Sequence, residues 1–108
     1  EMNSIEALWQ VAAKKGHADA QYILGVMYNQ GQGVEKNDKE AVRWLRSAAE
    51  QGHADAQCNL GLVFERGHGV EKNDKEAVRW LRSAAEQGHA DAQCNLGVVF
   101  ERGHGVEK

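Results

Sequence analysis

Apolar residues return at helical spacing along most of the chain, in two patterns that alternate. In "NDKEAVRWLRSAAEQG" (37–52), Ala41, Trp44, Leu45 and Ala48 fall at i, i+3, i+4 and i+7, one stripe of a helix, while Lys39, Arg43, Arg46 and Glu50 lie off it. Asn37 stands at the N-cap position with Glu40 three residues on, a capping-box spacing, and Asp38 adds negative charge to the first turn. Gly52 supplies the stop. This pattern predicts one helix, B. The second, A, starts after Gly52 with His53 as a weak N-cap and Asp55 in the first turn, and runs through "ADAQCNLGLVFER" to Gly67. Its stripe is Ala56, Leu60 and Phe64 with Val63 alongside, and Gly61 leaves room for a neighbouring helix. "GHGVEK" then joins A to the next B, with Gly67 and Gly69 available for positive φ and Val70 tucked under the turn.

The same stretch recurs. A shift of 36 lays residues 33–72 on 69–108, and only Leu62 against Val98 differs; residues 5–32 form a more diverged copy in the same phase. A period in this range is that of stacked supersecondary units, so the expectation is an all-α solenoid of about three 36-residue helix-turn-helix repeats. The 108 residues then form a single solenoid domain: a partial first helix over 4–15, repeats of about 16–51 and 52–87, and a truncated one over 88–108. Both ends are expected to expose surface that a further repeat would cover.

Composition narrows the function classes. The formal charge of −3, with basic and acidic residues interleaved as in "EKNDKEAVRWLR", offers phosphate no cationic field and argues against nucleic acid as a partner. No apolar run has the length of a membrane span, which argues against membrane insertion, and "EMNSIEALWQ" lacks the regions of a signal peptide. Two cysteines, Cys58 and Cys94, are too few for a disulfide framework, and the compartment stays open.

A helix pair carrying "A-x-x-G-H-A-D-A-Q-x-x-L-G-x-x-F/Y-x-x-G-x-G-V-x-x-N/D-x-x-x-A-x-x-W" resembles the Sel1-like repeat family, a relative of the tetratricopeptide repeat, over essentially all 108 residues. The resemblance implies a right-handed α-solenoid whose A helices line a concave face and whose B helices line the convex one. It also implies an adaptor role in protein complexes. Disulfide-bridged members of the family pair two cysteines inside one repeat, whereas each full repeat here has one.

The reactive-looking residues assemble into no catalytic, metal or cofactor site in this reading. His17, His53 and His89 recur every 36 residues, too far apart in a stack of helices to share one metal ion, and read as residues at solvated turns. His68 and His104 stand where the first copy has Gln32, a polar surface position. Cys58 and Cys94 share the same long spacing, and Tyr22 fills their position in the first copy. The "GQGV" and "GHGV" turns lack the remaining residues of a phosphate loop. Trp44 and Trp80 align on B helices and Trp9 aligns with Leu45, positions of packing. No enzyme activity and no cofactor are expected.

Binding is expected instead on the A-helix residues off the core stripe. These are Asp55, Asn59, Leu62 and Arg66, with Asp19, Ile23, Val26 and Gln30 before them and Asp91, Asn95, Val98 and Arg102 after. Arginines there suit a carboxylate, and asparagines an extended backbone. The expected function is a scaffold or adaptor holding a protein or peptide on that concave face. The alternative is a structural module, natural or designed, that stacks head to tail, since Glu1 after Lys108 continues the 36-residue phase.

Overall fold

The computed structural model describes residues 4–103, which form six α-helices: α1 (Ser4–Lys14), α2 (Ala18–Gln30), α3 (Asp38–Glu50), α4 (Ala54–Arg66), α5 (Asp74–Glu86) and α6 (Ala90–Arg102). In the alternation read from the sequence, α1, α3 and α5 are B helices and α2, α4 and α6 are A helices. Among the described residues there is no strand. Each helix packs on those before and after it in the chain, most extensively α2 on α3 and α4 on α5. The result is an elongated solenoid of 49 × 24 × 17 Å.

The B helices begin as the capping pattern predicts: Asn37 accepts a hydrogen bond from the Glu40 N–H at 3.2 Å, and Asn73 one from Glu76 at 3.1 Å. Ala41, Trp44, Leu45 and Ala48 are all buried, as are Ala77, Trp80, Leu81 and Ala84. The A helices end on left-handed residues that cost least as glycine; Gly67, at φ 74°, donates to the Val63 carbonyl at 2.8 Å. Chain reversal is then locked by the Asn73 N–H, which donates to the Phe64 carbonyl at 2.9 Å.

Burial is continuous along the array and divided by helix triplet. Ala13, Ala20, Leu24 and Trp44 pack between α1, α2 and α3. Val42, Leu45, Ala56, Leu60, Phe64 and Trp80 fill the centre, and Cys58, Val78, Leu81, Ala92 and Val99 the last triplet. Gly61 brings α4 and α5 together, since a Cβ there would sit 2.8 Å from Leu81 Cγ and 3.1 Å from the Ala77 carbonyl oxygen. The glycine in mid-helix is therefore a contact point, and its absent side chain is filled by a leucine.

Candidate functional site

Two hollows open on the A helices and meet on α4. The first, of about 220 Å³, lies between α4 and α6, with Asp55, Asn59 and Leu62 on one side and Asp91 and Asn95 on the other. Tyr22, His89, Cys58 and Cys94 complete its lining. The second, of about 200 Å³, lies toward the C-terminal end of α4, where Asn59, Leu62, Val63 and Arg66 face Asn29 and Gln30 of α2, with His68 from the following turn. Asn59 and Leu62, both half-buried, border both hollows from positions one helical turn apart on α4.

Six of the twelve expected face residues besides that pair divide as follows. Asp55, Asp91 and Asn95 line the first hollow, and Gln30 and Arg66 the second; Asp19 lines neither and is bonded to the next repeat. Ile23 and Val26 are half-buried on α2, and Val98 and Arg102 exposed on α6, all four outside these hollows.

His53 and His89, at the starts of α4 and α6, are structural couplers rather than solvated turn residues, whereas His17 is exposed and makes no side-chain cap bond. His53 Nδ1 accepts the Ala56 N–H at 3.1 Å, which places the ring proton on Nε2, and Nε2 donates to Asp19 of the preceding repeat at 2.8 Å. His89 repeats both bonds, to the Ala92 N–H at 3.1 Å and to Asp55 at 2.6 Å. The His53 ring also stacks on Tyr22, centroids 4.8 Å apart. Asp19 and Asp55, expected on the binding face, thus also tie one repeat to the next.

A second coupling runs through glutamines that the sequence reading did not single out. Gln57 is buried and donates to the Ala49 carbonyl at 3.1 Å, while its own amide oxygen accepts from Gln87 at 2.9 Å. Gln21 does the same with the Ala13 carbonyl and Gln51. The recurrence of "AQ" at 36-residue spacing was the available signal, since a polar residue beside the core stripe must find partners once buried.

The remaining chemistry is muted. Both cysteines are free; burial pushes the Cys58 thiol up, opposed by a hydrogen bond from Asn95 and reinforced by the negative charges of Asp91 and Asp55. Burial also raises Tyr22. Arg43 and Arg79 lie over the Trp44 and Trp80 rings at 4.7 and 4.6 Å. Among the described residues no group of three or more His, Cys, Asp or Glu side chains is arranged to hold a metal ion. None of the helices described is long and apolar enough to cross a membrane.

Comparison with known proteins places this arrangement. The family model of the Sel1 repeat matches residues 18–53, 54–89 and 90–108. A search of curated proteins gave no match. Among solved structures, the chain is similar to a Sel1 repeat protein from Oxalobacter formigenes, with 44% identity and a TM-score of 0.89 over 95% of this chain and 42% of that one. It is similar also to c5321, a protective antigen present in uropathogenic Escherichia coli strains that displays an SLR fold, at 41% identity and a TM-score of 0.92 over 94% of this chain and 22% of that one. Helicobacter pylori cysteine rich protein B aligns at 27% identity and a TM-score of 0.78, over 84% of this chain and 68% of that one. The chain spans less than half the length of the first two. It belongs to the Sel1 repeat family, an all-α solenoid whose members generally serve as protein-interaction scaffolds.

Proposed function

We propose that the A-helix face centred on Asn59 holds an extended segment of a partner protein, with the Arg66 guanidinium pairing a carboxylate of that segment. The observation that carries the reading is that Arg66 is uncommitted. Arg43 and Arg79 are paired with Glu40 and Glu76, and Arg46 and Arg82 lie over the Phe64 and Phe100 rings. Arg66 and its equivalent Arg102 have neither an acidic partner nor a ring among the described residues. Arg66 lines its hollow beside Asn29, Gln30 and Asn59, amides that both donate and accept as an extended main chain requires. Leu62 gives an apolar side chain a place to rest between the two hollows. Asp91, in the other hollow, supplies the opposite charge, so a bound segment orients with a cationic group there and its carboxylate at Arg66.

A peptide library selected against the chain supplies the probe, and calorimetry on the selected peptide tests the reading. Asn59→Ala with Arg66→Ala lowers affinity by about tenfold or more, the loss expected of a charge-assisted hydrogen bond, and neutralising the peptide carboxylate reproduces most of that loss. Unchanged affinity in both experiments moves the site off this face.

A further inference from the structure

Two basic side chains from different pieces of backbone reach the hollow between α2 and the C-terminal end of α4. Arg66 is the last residue of α4, and His68 stands two residues on, in the turn. The rest of the lining is three amides, Asn29, Gln30 and Asn59, and two apolar side chains, with no carboxylate. On a continuing helix, side chains two residues apart would not face one another. Left-handed Gly67 breaks the helix between them, and the His68 N–H donates back to the Val63 carbonyl at 3.3 Å. His68 is thereby carried on a fixed turn to the hollow that Arg66 borders.

The first copy builds the same turn with different chemistry. There the Gln32 N–H donates to the Met27 carbonyl at 3.0 Å, and Gln30 and Gln32 stand where Arg66 and His68 do. Both positions change from amide to basic residue between one copy and the next, while the glycine between them is kept. The turn itself therefore requires neither basic side chain. Nor is either one committed within the molecule: among the described residues, neither the Arg66 nor the His68 side chain has a hydrogen bond, an ion pair or a ring contact. Charges beside the turn are already matched. Asp38 of α3, whose backbone lies against Gly69, is paired with Lys36, and Lys72, whose stem lies against Gly67, is paired with Asp74 of α5. Glu65 of α4 and Glu71 of the turn stand outside the lining, and α2 brings only amides to it.

We infer that His68 is the second, titratable cation of this site, so that the partner's acidic group is held by Arg66 and His68 together and binds more tightly as pH falls. The inference rests on the binding of a carboxylate at Arg66 proposed above. Histidine is the only side-chain type in the lining that ordinarily changes charge between about pH 8 and 5. On the alkaline side the anion meets one cation among amides; on the acid side it meets two. Both basic residues are exposed, so solvent screens the added attraction and the gain is about threefold in affinity, smaller at high salt.

Calorimetry with a histidine-free peptide selected from the library, at about pH 8 and pH 5.5, tests this; the peptide carboxylate stays ionised at both. The parent chain gains about threefold on acidification. His68→Gln, which restores the residue of the first copy on the same backbone, keeps the alkaline affinity and loses the gain. His68→Lys binds at pH 8 as tightly as the parent does at pH 5.5 and no longer responds to pH. A peptide with its carboxylate converted to an amide shows no gain on the parent chain. Equal parental affinity at the two pH values overturns the inference, as does a gain that survives His68→Gln, which would assign it to the other histidines or to net charge. If Arg66→Ala weakens binding at both pH values while the parent shows no gain, the carboxylate reading stands and His68 alone is removed from it. If Arg66→Ala changes nothing at either pH, both readings fall.

Discussion

His53 performs two tasks with one ring, and removing it separates them. His53→Ala loses the cap to Ala56 and the bond to Asp19, a cost of about 1–2 kcal/mol that comes mostly from the cap. The aspartates contribute less, because Asp19 is 89% and Asp55 55% exposed at the side chain; urea unfolding should find both alanine variants costing under about 1 kcal/mol, with Asp55 the larger. The sequence shows Asp19 and His53 34 residues apart, and Asp55 and His89 likewise, yet nothing in one repeat says that they touch. That contact depends on how far one repeat is displaced from the next, a property of packed helices rather than of any local pattern. The two cysteines differ for the same reason: identical neighbours in sequence, unlike cover in space. Cys94 should react with a thiol reagent well ahead of Cys58, whose thiol is both covered and raised by burial. Because the folded thiol is raised, its contribution to stability is full below the ordinary thiol pKa and is lost as pH rises through the raised folded value.

At the scale of the helix, the local rules carry most of the outcome. Asn37 and Asn73 cap as their spacing with Glu40 and Glu76 predicts, and the stripes are the buried faces of α3, α4 and α5. The glycine inside each A helix shows where those rules stop. Gly61→Ala forces a Cβ against Leu81 and the Ala77 carbonyl and should lower the unfolding midpoint. Gly97→Ala meets no neighbour and should raise it, by the ~1 kcal/mol that alanine gains over glycine in a helix interior. One substitution in two copies of the same heptapeptide, "CNLGLVF" and "CNLGVVF" but for a methylene, therefore changes sign with its surroundings. The candidate site was legible to the same degree: helical spacing picks out Asn59, Leu62 and Arg66 as a line off the core, but that Asn59 and Leu62 border both hollows follows from the neighbouring helices.

The whole molecule is a line of nearest-neighbour contacts, so its stability is distributed along its length and thins toward the ends. Hydrogen exchange should find amides of α1 and α6 exchanging faster than those of α3 and α4, which are packed on both sides; uniform protection across all six helices would contradict a nearest-neighbour array. The glutamine relay, in which each buried amide receives within its own repeat and gives to the one before it, has a consequence for inheritance. Residues 33–72 and 69–108 differ at one position, and the partners of Gln57 have counterparts at those of Gln21. A recombination slip between two such coding segments adds or deletes one whole unit, and the new junction reproduces a pairing the parent already contains. Array length is thereby free to drift between lineages with no second mutation needed to repair the seam.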